Sequence, residues 1–179
     1  MDTAPLANWL GFLALNAYVA TLLPTTLRIT IPQIKKSYII KFLRTHRRQI
    51  GLLAFALAFV HGWLLIFKRN IDLYDSSTYW VYIQGVITFI IFTLLALTSN
   101  NWAIKKLKKN WKKLHSLTYL CMVFLVWHVW DKMTPYWSYL TPISLCLLTI
   151  AIVLFFWRKR LEQLPISSHS SKSKNVITR

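Results

Sequence analysis

Five long apolar runs dominate the chain, at roughly residues 6–23, 49–67, 79–98, 114–131 and 139–157. Each is long enough to cross a bilayer core of about 30 Å. All five are predicted to be helices, because backbone polar groups in lipid must find partners within their own segment. Pro24 is expected to end the first helix, and Pro135 and Pro142 to mark a short turn between the fourth and fifth. The N-terminal MDTAPLANW has no positive region ahead of its apolar stretch, so the first run is expected to be a retained span rather than a cleaved signal. IPQIKKSYIIKFLRTHRR, between the first two runs, mixes apolar and basic residues. It reads equally as a segment lying along the headgroups and as a solvated basic loop. The expected organisation is one all-α, integral membrane helical bundle over residues 1–164, followed by a polar, disordered tail over 165–179.

Composition supports this reading. Hydrophobic residues make up 55% of the 179, with a mean hydropathy of +0.42, too apolar for an ordinary soluble domain. The net charge of +17 would by itself suggest a nucleic-acid partner. Its distribution argues instead for no nucleic acid and for the bilayer. Nineteen of the 22 basic residues fall in the loop after the first run, the loop after the third, and the segment after the fifth. Four of the five acidic residues, Asp2, Asp72, Asp75 and Asp131, fall on the other side. The positive-inside rule then predicts five spans with the N-terminus outside and the C-terminus cytoplasmic, in a bacterial plasma membrane or another energy-transducing membrane. Trp80, Trp130, Tyr136 and Trp137 sit where an outer aromatic belt would lie.

Chemistry enters with the histidines. His61 lies in the second run, and His115 and His128 begin and nearly end the fourth. An ionisable residue inside a span is costly and marks function by default. His61 stands thirteen residues past Arg48 and His128 fifteen past Lys113, so on parallel helices the two imidazoles are depth-matched. Neutral imidazole is a common axial ligand of haem iron, and a haem between these helices would take one ligand from each. His115, thirteen residues before His128, is roughly 20 Å deeper at 1.5 Å per residue, room for a second haem at the cytoplasmic edge. Thirteen residues do not keep two side chains on one face of an ideal helix, so a shared face needs a bend or a local change of helix type. Gly62 and Gly51 are small enough to admit a flat macrocycle. Alone, His115 is as readily an interfacial or capping residue. A proton relay or a metal-transport path would want carboxylates in the spans, and the acidic residues all lie in loops. Cys121 and Cys146 have no paired spacing and read as small apolar residues.

RRQIGLLAFALAFVHGW, LLALTS and KKLKKNWKKLHSLTYLCMVFLVWHVW resemble the ferric reductase-like transmembrane domain family over roughly residues 18–157. Within that family they are most similar to the haem-binding membrane subunits of periplasmic methionine sulfoxide reductase systems. The resemblance implies a b-type cytochrome with His61, His128 and His115 as axial ligands of one or two haems b. It implies an electron-transfer subunit of an oxidoreductase, with an external donor, either a flavin reductase or a quinol, since this chain carries no flavin or NAD(P)H domain. It also implies an acceptor on the outer face, such as a periplasmic reductase. FMN or quinone as a further cofactor is left open. The family's two-haem pattern has a histidine where this chain has Arg47, with His46 beside it, so the ligand opposite His115 is open. Arg47 and Arg48 suit haem propionates, since guanidinium pairs carboxylates bidentately, and equally suit positive-inside anchoring. The alternative from another class is a haem-free membrane assembly or transporter component.

Overall fold

A computed structural model describes residues 6–69, 76–133 and 138–163 of the chain. The elements are α1 (Leu6–Thr30), a 3₁₀ turn (Pro32–Lys36), α2 (Tyr38–Thr45), α3 (Arg47–Arg69), α4 (Ser76–Leu97), α5 (Asn101–Leu107), α6 (Lys109–His115), α7 (Leu117–Met133) and α8 (Leu140–Gln163). Among the described residues there is no strand. The protein is an all-α, multi-pass membrane protein. α1, α3 up to Phe67, and α8 are each long and apolar enough to span a membrane, and α4 joins them when taken with α5, to which it is bent by 96°.

The five long helices pack as a closed ring in the order α1, α3, α4, α7, α8 and back to α1. α3 and α7, the two histidine-bearing helices, are therefore not neighbours; they face each other across the ring. Large apolar side chains point outward, as a lipid-facing surface requires: Leu13, Leu53, Phe59, Trp63, Ile90, Val123, Trp127 and Val153 are all exposed. Polar groups turn inward or back onto their own helix. Thr21, Thr26, Thr30 and Thr88 are buried, and each donates its hydroxyl to a carbonyl three or four residues earlier.

The fold corrects the sequence reading at three helix ends. Pro142, expected in a turn, lies in the first turn of α8, where its missing donor costs no intrahelical bond. Pro24 does not end α1, which runs through it to Thr30 with the proline ring fully buried. Proline removes one main-chain donor, and a spanning helix tolerates this where neighbouring helices and Ser/Thr side chains re-satisfy the turn. The helix of the fourth apolar run begins at Leu117 rather than 114. His115 instead closes the short basic α6, and Ser116 separates the two helices. At 17 residues α7 is roughly 25 Å long, somewhat shorter than an average bilayer core. The segment between α1 and α3 is largely helical. Tyr38, Ile39 and Phe42 of α2 are exposed beside Lys41 and Arg44, while Ile40 turns inward, the composition of an interfacial helix. Trp130 is exposed, as expected of a belt residue. The side chains of Trp80, Tyr136 and Trp137, and the tail over 165–179, lie outside the described residues.

Side-chain contacts fix the chain direction. Arg47 at the start of α3 donates to Thr25 near the end of α1, and Arg48 donates to Asn101 just past α4. His115, just before α7, contacts Thr98 just after α4. Arg158 near the end of α8 donates to Tyr119 near the start of α7. One end of the ring therefore gathers the ends of α1, α4 and α8 and the starts of α3 and α7, and with them the basic segments. α3 and α7 run parallel.

Candidate functional site

Two cavities occupy the ring, one above the other. The first, of about 310 Å³, is lined by His61, Gly62 and Phe59 of α3, by Gly85, Thr88 and Phe89 of α4, by Ala14 and Leu15 of α1, and by Leu125 and His128 of α7. Its walls are almost wholly apolar. The second, of about 460 Å³, lies at the basic end and is lined by Arg44, Arg47, Arg48, Lys112, Trp111 and His115, with Gly51, Tyr18 and Tyr119. Phe92 lines both, and its ring packs on that of Tyr18 at 5.4 Å between centroids. The Tyr18 hydroxyl donates to the Thr118 carbonyl of α7, so this aromatic pair forms a fixed partition between the cavities.

His61 and His128 meet in the first cavity. Their ring centroids are 6.4 Å apart and their planes lie at 89°. The His61 Nδ1 is 2.6 Å from the Ala7 carbonyl oxygen. A carbonyl only accepts, so Nδ1 carries the proton, and in the neutral ring Nε2 keeps the lone pair. This arrangement, an imidazole oriented through its other nitrogen, is the usual support of a metal-ligating histidine. The separation also suits a shared metal. Two imidazoles ligating one ion from opposite sides through metal–nitrogen bonds of about 2 Å hold their centroids roughly 6 Å apart. The residues present therefore fit a metal-bearing macrocycle that His61 and His128 would hold between them. Among the described residues no cluster of three or more His, Cys, Asp or Glu side chains could hold a bare metal ion.

Two residues that the sequence reading passed over hold these rings. A Cβ at Gly11 would stand 2.9 Å from Cε1 and 3.0 Å from Nδ1 of His61. A Cβ at Gly85 would stand 3.2 Å from Cε1 and 3.3 Å from Nδ1 of His128. The glycines singled out from sequence behave differently. Gly62 lines the first cavity with open space beside it, and Gly51 lines the second in ordinary contact with Thr21. A signal for Gly11 did exist, since Ala7, Gly11 and Ala14 form a small-residue stripe on the face of α1 that α3 packs against.

The second cavity contains one of the candidate imidazoles. His115 stacks on Trp111 at 4.0 Å between centroids, and its Nε2 is 3.3 Å from the Thr98 hydroxyl. That hydroxyl gives its single proton to the Leu94 carbonyl at 2.6 Å, so here Nε2 is the donor. His115 lies on α6, outside the spanning helices. Burial, and after it the Arg47 guanidinium, holds its pKa below the ordinary imidazole value. His46 does not line this cavity; its ring packs on Phe42, and its Nδ1 lies 3.1 Å from the Phe42 carbonyl. Arg47 and Arg48 both reach the cavity, and among the described residues no carboxylate lines it.

This geometry can be set beside known proteins. The family described as "Ferric reductase like transmembrane component" matches residues 10–126, about two thirds of the chain, a stretch that includes His61 and His115 and ends two residues before His128. The chain belongs to that family. Two relatives are the protein-methionine-sulfoxide reductase heme-binding subunits MsrQ of Brucella anthropi, 35% identical, and of Brucella ovis, 36% identical. Each match runs over 118 residues, 63% of this chain and 50% of the relative. The chain thus spans about half the length of these curated relatives. No solved structure matches it.

Proposed function

We propose that the chain is a haem-carrying electron-transfer subunit of the membrane, with a haem b in the first cavity between His61 and His128. The observation that carries this reading is the facing pair of imidazoles, 6.4 Å apart in an apolar pocket, with Nδ1 of His61 committed to a carbonyl. Membership of the ferric reductase like family and similarity to heme-binding subunits support it. When bound, haem supplies a one-electron carrier. The chain's residues do the rest. His61 and His128 would hold the group from α3 and α7. The Ala7 carbonyl fixes the His61 tautomer, and the apolar lining lowers the local dielectric and excludes water.

Orientation follows from charge. The basic end of the ring faces the cytoplasm and the first cavity lies nearer the outer face, with five spans, the N-terminus outside and the C-terminus inside. Electrons enter at the basic end from a cytoplasmic flavin reductase or a quinol and leave toward an outer acceptor, such as a periplasmic reductase. The second cavity is the candidate inner cofactor site, and Arg44, Arg47, Arg48 and Lys112 give it a rim suited to carboxylate or phosphate groups. A second haem there would be ligated by His115 after release of Thr98, with no second histidine lining the cavity among the described residues. FMN or a quinone fits the same charge pattern. The membrane is the bacterial plasma membrane.

The reading is tested in proteoliposomes holding the full chain, with a chemically reduced flavin inside and an impermeant one-electron acceptor outside. Acceptor reduction should depend on the wild-type protein and fall at least tenfold with His61→Ala or His128→Ala. Equal rates for wild type and both variants would refute it and leave the haem-free alternative.

A further inference from the structure

Two of the four glycines lie against the two facing imidazoles. Neither sits at a turn or has a positive φ, so backbone freedom does not explain them. What they have in common is an imidazole where a side chain would begin. At Gly11 the conflict is severe, because 2.9 Å is closer than a methyl carbon approaches a ring carbon. At Gly85 the distances of 3.2 and 3.3 Å require the His128 ring to give by a few tenths of an ångström. Each glycine lies on a helix that contributes no histidine to the pair, α1 for His61 and α4 for His128. Ala7, one turn before Gly11 on α1, supplies the carbonyl that fixes Nδ1 of His61. α1 therefore controls both the tautomer and the ring angle of a residue on α3.

We propose that Gly11 and Gly85 are positioning residues that set the planes of His61 and His128 perpendicular, and so set the electronic state of the metal group between them. This rests on the haem reading above. The 89° between the planes is the consequential quantity. Each imidazole donates π density to the iron d orbital normal to its own plane. Parallel planes raise one d orbital and split the pair widely. Perpendicular planes raise both and leave them nearly degenerate, which makes the low-spin ferric ion strongly anisotropic. A methyl group at position 11 forces the His61 ring to turn or tilt, which removes the degeneracy. One at position 85 does the same to His128 by a smaller displacement.

The test is the electron paramagnetic resonance spectrum of the oxidised full-length protein in detergent, read with haem content and helical circular dichroism. Wild type should give a low-spin signal with a large, strongly anisotropic principal g value. Gly11→Ala and Gly85→Ala should each shift that value toward the ordinary rhombic pattern, Gly11→Ala by more. Leu13→Ala, on the lipid-facing side of α1, should leave it unchanged. If Gly11→Ala does not fold, Gly85→Ala decides, because its contact is milder. Loss of the low-spin signal from a variant with wild-type helicity is the same displacement taken further and supports the proposal. A wild-type signal that neither glycine variant moves overturns it, as does a wild-type signal of the parallel-plane type. A wild type with no low-spin signal fails the haem reading itself, a different result from an immovable one.

Discussion

Gln84 offers a sharp test of how the site is held. It is 1% exposed, lies on α4 next to Gly85, and donates its amide to the Asp131 carboxylate at 2.7 Å. Asp131, expected in a loop, is three residues past His128 on α7, so this bond ties α4 to the turn that carries His128. Gln84→Leu keeps most of the volume and removes the bond. In soluble proteins a hydrogen bond to a charged group is worth about 1.5–3 kcal/mol. Between membrane helices the measured average is nearer 0.6, with a maximum of about 1.7 kcal/mol. Asp131 is itself exposed, which weakens the charge-assisted part, so the membrane range governs. The expected loss is about 1 kcal/mol, roughly fivefold in the unfolding equilibrium. The assay is equilibrium unfolding in mixed dodecyl maltoside and SDS micelles, followed by circular dichroism at neutral pH. A Gln84→Leu protein as stable as wild type, or more stable, would refute the claim that this bond fastens α4 to the His128 turn.

Two further predictions concern the basic end. Trp111 donates its indole N–H to the Thr98 carbonyl at 3.0 Å while stacking on His115, so Trp111→Phe should cost about 1 kcal/mol and speed amide exchange across α6; unchanged exchange would show that the indole bond does not anchor α6. A phosphatase reporter fused after Arg179 should be inactive and a fluorescent one active if the proposed orientation holds, since it puts nineteen of the 22 basic residues on the cytoplasmic side; the opposite pair of readouts would reverse the proposed direction of electron flow.

Much of this architecture is legible in the chain. The five apolar runs correspond to the five long helices of the ring, because a 20-residue apolar stretch has few other solutions. The pairing of His61 with His128 follows from two loop charges and a count of residues, since parallel helices of equal rise preserve depth. Helix ends are less legible. Pro24 reads as a stop because its missing donor matters in water, yet inside the bundle α1 continues through it to Thr30. His115 reads as part of the fourth span because Leu114 and Leu117 flank it, whereas in the structure the helix breaks at Ser116, with Trp111 of α6 bonded to the Thr98 carbonyl. That break also removes the phase difficulty between His115 and His128, which belong to separate helices. The small-residue stripe of α1 marks Gly11 as a packing position, but its imidazole partner lies fifty positions along the chain and is not legible from that stripe. Gly62 was visible, but only because it follows a histidine in sequence. Spacing along one helix cannot report which ring a neighbouring helix presents.

The most direct test of the central claim is the reduced-minus-oxidised optical spectrum of the purified full-length protein, taken beside His61→Ala, His128→Ala and His115→Ala at matched protein concentration. The account predicts the sharp α-band and Soret shift of a bis-imidazole b haem in wild type. Either of the first two substitutions should abolish the signal of the first cavity, and His115→Ala should leave that signal in place. A wild type colourless after haem supplementation, or an unaltered spectrum in both His61→Ala and His128→Ala, would contradict it.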